Sequence, residues 1–311
     1  MVQGLAQDAR QIKENMVLMG IAGRRVFAVS APYGIDVKNL PADIAEKTKD
    51  VPEIERRKIA TLHQAVGHIR EKTGAGQVKA ITLSEGSIVF AGTAKAQPDW
   101  FSDAILVEPA GMTNPDEPDQ PPAEGTIGKI VESAESLYGA GKLAVGGVKD
   151  TILQDARIKK AEIEKKYKID LSSRLVALQR KLGILNPKDF DPKFARENVA
   201  ISKENAAKST AKDRDRIIGA IPIIAGYRIG DTLKNLREQN GLQIVVVEGV
   251  NDQFFNVKQM RQSSRADMMD GSLVVKGGHG QMTIRPKPYT AAFDNVLDSL
   301  ETKRKKRPAA K

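Results

Sequence analysis

Residues Leu242-Gln243-Ile244-Val245-Val246-Val247 form a β-branched, nearly unbroken apolar run that only a strand covered on both faces accommodates easily. The run follows a short helix anchored by Leu233 and Leu236, which Asn240-Gly241 terminates. Glu248 to Gln253 then turns the chain. Phe254 to Met260 reads as a second strand, and Ser263 to Gly271 as a polar loop. Ser272 to Lys276 reads as a third strand, and Gln281 to Arg285 is a candidate fourth. No other stretch has so clear an order of elements.

Earlier segments divide more coarsely. A polar helical start precedes Arg25 to Ser30, a strand candidate, before Pro32, Gly34 and Pro41 break the pattern. Pro52 and Glu53 suit a first helical turn, and Ile59, Leu62, Val66 and Ile69 give one apolar stripe. Thr73-Gly74-Ala75-Gly76 ends that helix as a glycine cap. Val78 to Val107 reads as strands: Glu85-Gly86-Ser87 is a turn from which Ile88-Val89-Phe90-Ala91 returns, and a further run starts at Trp100. Residues 112–124 form a proline-rich acidic linker that cannot bury enough apolar surface to fold alone. From 125 to 232 the chain is mainly helical, with Leu171, Leu175, Leu178 and Leu182 at helix-packing spacing.

These segments predict five units: an N-terminal α+β part (1–111), the linker (112–124), the helical region (125–232), a helix plus β part (233–290), and a C-terminal helix with a basic tail (291–311). The expected fold class is α+β: a β-sheet or barrel-like domain split by a long helical insertion.

Composition excludes several chemistries. Without cysteine there is no disulfide, thiolate metal site or cysteine nucleophile. Aromatics are 5% of residues, too few for a typical base-stacking surface. The amino terminus lacks a signal-peptide core, and no uncharged apolar run is long enough to cross a bilayer, so no membrane insertion is expected. The net charge of +10 is concentrated at the end, where Lys303, Arg304, Lys305, Lys306, Arg307 and Lys311 place six cations in nine residues. The first five are the candidate polyanion-binding residues.

Catalytic signals are weak at this level. Tyr138-Gly139-Ala140-Gly141-Lys142-Leu143 lacks the earlier glycine and the following hydroxyl of a phosphate loop. His63 and His68 lie roughly 140° apart around a helix, and so do not converge. Gly277-Gly278-His279-Gly280 reads as a hairpin turn and Asp267 and Asp270 as solvated loop acids. No serine or threonine has a recognisable neighbouring base. The chain is expected not to be an enzyme and to need no cofactor.

The order of elements from Leu233 to Val275 resembles the amino-terminal domain of Dit-like (distal tail) proteins of tailed bacteriophages. The matching positions are Leu233 and Leu236, Val245 to Val250, Phe254-Phe255-Asn256-Val257, Ser263 to Asp267 and Gly271 to Val274, with a fainter echo in Trp100 to Leu106. The resemblance implies a structural tail or baseplate protein located in the virion and made in the host cytoplasm. Its copies would form a ring at the distal end of the tail tube and join other tail or baseplate proteins. Val245, Val247, Phe254, Phe255 and Val257 would supply the assembly surface. The alternative expectation is a nucleic-acid-binding or DNA-packaging-associated protein acting through the basic tail.

Overall fold

In a computed structural model, the order of the strands corrects the expected fold class. β1 (Val78–Leu83), β2 (Phe101–Val107), β3 (Gln243–Gly249) and β4 (Gly271–Val275) form one sheet in the order β1-β2-β3-β4, and every pair is parallel. Parallel neighbours cannot be joined by hairpins and need crossover connections, which the helix Gly86–Ala96 supplies between β1 and β2. The result is a layered α/β architecture rather than a split barrel. The sheet continues past β1 through single rungs: Val2 bridges Thr82, and Val29 bridges Val2. Among the described residues, the expected strand at Arg25 to Ser30 contributes that one bridge.

The structure describes residues 1–2, 4, 7–29, 34–112, 192–208, 210, 213, 216, 220, 227–250, 252 and 267–306. Almost all of the expected linker, much of the helical region and the expected strand from Phe254 to Met260 lie outside the described residues. Among those described, no helix is long and apolar enough to cross a membrane.

Strand alternation assigns the two faces. Ala80, Ala104, Leu106, Ile244 and Val246 face α3 (Glu53–Thr73), α4 (Gly86–Ala96) and α6 (Gly230–Asn240), where Ile59, Leu62, Val66, Phe90, Leu233 and Leu236 are buried. Ile81, Leu83, Ile105, Val107 and Val247 point the other way. They pack on α1 (Lys13–Ile21) and α7 (Pro286–Lys306) through Met19, Tyr289, Phe293 and Leu297. Period-two burial on both sides is why these strands read as continuous apolar runs. A short helix α2 (Ala42–Lys47) covers the α4 edge, and α5 (Pro192–Lys208) is tied down where the Asn198 amide donates to the Thr283 carbonyl at 2.9 Å.

The glycine caps on α3 and α6 behave as the sequence predicts, with Gly74 and Gly241 both left-handed. Ile88 to Ala91 does not return as a strand. It lies within α4, whose residues from Gly86 to Ala94 are all buried. A helix buried all round carries no polar stripe, so its apolar run cannot be told from a core strand. Gln281 to Thr283 is a 3-10 turn that leads into α7, not a fourth strand.

Candidate active site

The sharp turn between β1 and α4 places Ser84 at the carboxyl end of the sheet. Its φ is 51°, in the left-handed region that a serine rarely enters. Holding it there costs about 1–3 kcal/mol, a strain that concentrates at functional sites. The turn is pinned on both sides. The Ser84 N–H donates to the Val107 carbonyl at 2.9 Å, and the Ser84 carbonyl accepts from Ala110 and Ser87 N–H groups at 3.2 and 3.0 Å. Gly4 lies against it: a Cβ there would come 3.1 Å from the Ser84 Cβ and 3.2 Å from the Leu83 carbonyl oxygen.

Two further loops leave the same end of the sheet. Asp252 follows β3, and its N–H is held by the Gly249 carbonyl at 2.9 Å. His279 follows β4, in the glycine-rich stretch expected to form a hairpin turn. Its Nε2 lies 3.1 Å from the Ser84 Oγ and its Nδ1 lies 3.0 Å from an Asp252 carboxylate oxygen. Asp252 selects the tautomer with hydrogen on Nδ1, so Nε2 is left to accept from the serine hydroxyl. Burial of the ring works against its charge. Asp252, through charge and a hydrogen bond, and then Glu108 outweigh this and raise the His279 pKa above its ordinary value.

Glu108 directly follows β2 and is fully buried. Its Oε1 accepts from the Tyr289 hydroxyl at 2.9 Å, and its Oε2 accepts from the Gly280 N–H. Glu108, Asp252 and His279 each offer one donor atom within 4.8 Å of the others, a spacing that could hold a cation. Those atoms already have partners, however: both histidine nitrogens are used, and each Glu108 oxygen accepts a hydrogen bond. The cluster is therefore a hydrogen-bonded relay in which a hydroxyl, an imidazole and a carboxylate stand in line.

A second buried cluster lies behind the turn. Glu85, next to Ser84, forms an ion pair with Lys58 of α3, and both side chains are less than a tenth exposed. Glu55, one turn earlier on α3, is also buried. Burial first and the Glu85 charge second raise its pKa well above the usual carboxylate range, despite the opposing charge of Lys58.

The residues expected to matter are placed elsewhere. Val245 and Val247 lie in β3, which is already paired on both sides, by β2 and β4. Phe254, Phe255 and Val257 lie outside the described residues, as does Arg307. Lys303, Arg304, Lys305 and Lys306 continue α7. Arg304 donates to the Ser102 carbonyl at 2.7 Å and pairs with the buried Asp103 carboxylate. Asp267 and Asp270 pair with Lys234 and Arg237. His63 stacks on Trp100, while His68 is exposed.

Sequence reasoning missed all three members of the relay. Thr82-Leu83-Ser84-Glu85-Gly86 matches the five-residue strand-to-helix turn pattern that presents a serine, with threonine in place of the first glycine. The usable signal was a strand, a serine and a glycine two places on, followed by an aspartate after one later strand and a histidine after the next.

No protein-family profile matches the sequence, and no curated protein matches it. Solved structures do. A carboxylesterase of Nitrososphaera gargenis is 12% identical with a TM-score of 0.54, covering 97% of this chain and 90% of the other. A bromoperoxidase from Bacillus anthracis is 13% identical with a TM-score of 0.54 over 96% and 91%. An esterase from Rhodococcus sp. ECU1013 is 14% identical with a TM-score of 0.53 over 96% and 89%. The fold is that of the α/β hydrolases. This corrects the resemblance to phage distal-tail proteins, which rested on apolar alternation that parallel and antiparallel sheets share. The tail and baseplate function and the virion location fall with it. So does the expectation of a chain that is not an enzyme.

Proposed function

We propose that the protein is a serine hydrolase acting on an acyl ester or a chemically similar acyl bond. Ser84 is the nucleophile, His279 the general base and acid, and Asp252 the acid that orients the imidazole. The observation that carries this reading is the unbroken line from Ser84 Oγ to His279 Nε2 at 3.1 Å and from Nδ1 to Asp252 at 3.0 Å, set on a left-handed serine.

The chemistry follows from that line. As the Ser84 Oγ–carbon bond forms, its proton passes to His279 Nε2, and the carbonyl π electrons move onto oxygen. The N–H after such a serine is the expected donor to the developing oxyanion. Here it belongs to Glu85, and it meets no hydrogen-bond acceptor among the described residues. His279 then returns the proton to the leaving alkoxide as the carbon–oxygen bond breaks. Water attacks the acyl-serine in turn: its proton passes through His279 to Ser84 Oγ, and the free acid departs.

The test is hydrolysis of a short-chain p-nitrophenyl ester, together with mass spectrometry after treatment with a fluorophosphonate. Stoichiometric labelling of Ser84 and loss of turnover in Ser84→Ala are expected. A wild-type protein that is neither labelled nor active would end this reading.

A further inference from the structure

The line from serine to aspartate leaves unused a buried acid that lies against it. Glu108 has a φ of 47°, so the chain enters the left-handed region a second time at the same end of the sheet. Its Oε2 lies 3.7 Å from His279 Nδ1, on the same side of the ring as Asp252. Two glycines make room for the acid and its partner. A Cβ at Gly249 would come 2.8 Å from Glu108 Oε1, and one at Gly277 would come 2.8 Å from the Tyr289 hydroxyl oxygen. A buried carboxyl is costly, and a second one beside Asp252 is costlier. Packing alone would be served as well by an amide.

We propose that Glu108 is a positioning residue for His279: a second acid that shares the Nδ1 side of the ring with Asp252 and takes over as acceptor when the Asp252 charge is removed. The proposal rests on the Ser84 hydrolase reading. Asp252 faces Glu108 from the loop after β3, His279 from the loop after β4 and Tyr289 from α7, with the charge of Arg285 acting on the tyrosine. Burial and then the Asp252 charge push the Glu108 carboxyl up to about 8, against His279, the Gly280 N–H and the Tyr289 hydroxyl. Below that value Glu108 holds its proton, which leaves Asp252 as the acceptor at Nδ1. As pH rises past that value a second negative charge appears beside the ring. That charge makes the imidazole more basic and stabilises the imidazolium formed in the transition state. Without the Asp252 charge the repulsion disappears and Glu108 ionises more readily. A sub-ångström shift then brings it within hydrogen-bond distance of Nδ1.

The test uses phosphonylation by a fluorophosphonate, which needs no knowledge of the natural substrate. The Ser84 oxygen–phosphorus bond forms, the phosphorus–fluorine bond breaks, the serine proton goes to His279 and fluoride leaves. Rates are measured from about pH 6 to pH 10 for the wild type, Glu108→Gln, Asp252→Asn and the double variant. Glu108→Gln is expected to lose the further rise that the wild type shows near pH 8. Asp252→Asn is expected to lose about 10²-fold, less than the ~10⁴-fold seen where no second acid stands by. The double variant is expected to be at least about tenfold slower than the two single losses multiplied. Tyr289→Phe removes a hydroxyl that favours the Glu108 carboxylate, so the upper inflection should move to higher pH. That shift is a second measurement if Glu108→Gln does not fold. A Glu108→Gln profile that overlays the wild type, or a double variant equal to Asp252→Asn, would overturn the proposal. So would an unmoved inflection in folded Tyr289→Phe. A wild type that is not labelled would instead remove the hydrolase reading itself.

Discussion

The Ser84 Oγ lies 3.1 Å from His279 Nε2, although 195 residues of sequence separate them. The contact exists because β1 and β4 are parallel strands of one sheet, and the loops that leave parallel strands at their carboxyl ends meet on one side. A reactive group can thus be assembled from segments that share no local pattern.

Ser84 should trade stability for reactivity. Glycine enters the left-handed region without the steric cost that a serine bears there. Ser84→Gly is therefore expected to melt about 2 °C or more above Ser84→Ala, consistent with about 1 kcal/mol of relieved strain. Both variants should lose hydrolysis by about 10⁴-fold or more. Parallel thermal melts and ester assays check this, and equal melting temperatures would deny the strain.

The acid limb of the activity profile should lie high. Only neutral His279 can take the serine proton, so kcat/KM rises with pH through the histidine pKa. That value sits above ordinary histidine because Asp252 and Glu108 outweigh burial. Linkage has the same origin. A raised histidine contributes stability that is fully present below the unfolded value near 6.5 and is lost as pH rises through the folded value. Asp252→Asn should move the acid limb to lower pH, which a pH series of initial rates measures directly.

Glu55 should act in the same sense, beginning at lower pH. Its folded pKa is raised mainly by burial, so the folded state carries no penalty below about pH 4.5 and a growing one as pH rises above it. Glu55→Gln keeps the shape and can donate to Glu85. It is expected to stabilise the protein by on the order of 1 kcal/mol at neutral pH and to leave it unchanged near pH 4. Urea midpoints at the two pH values decide the matter.

Lys58 and Glu85 should be strongly coupled. Lys58→Met leaves Glu85 buried without its cation and is expected to cost about 3–5 kcal/mol. Adding Glu85→Gln should recover most of that loss, because a neutral amide has no charge to strand. Additive losses in the double variant would show that the pair is not an energetic unit.

Arg304 should matter to the fold. The Asp103 carboxylate is 1% exposed, with the Arg304 guanidinium against it and Lys79 at 3.9 Å. Arg304→Ala is expected to lower stability by about 1–3 kcal/mol, whereas Lys303→Ala, at an exposed position, should change it by less than about 0.5 kcal/mol. Chemical denaturation of the two variants provides the comparison.

Some of this was readable in one dimension. The stripe of Ile59, Leu62 and Val66 marks α3, Gly74 and Gly241 mark helix ends, and the continuous Ile244 to Val247 run marks a strand covered on both faces. These are local signals, set by periodicity and by the backbone freedom of glycine. The fully buried α4 was not readable, because burial on every side erases the stripe that distinguishes a helix. Strand direction was not readable either: apolar alternation is the same in parallel and antiparallel sheets, and the Dit-like resemblance relied on that shared alternation.

By itself, then, the sequence determined where the backbone would form α3, α6, β1, β2 and β3, because those choices depend on neighbours a few residues away. Only the tertiary structure decided that Ser84, Asp252 and His279 form one site. Their meeting depends on the order and direction of four strands, and that is settled by which apolar faces can be buried together.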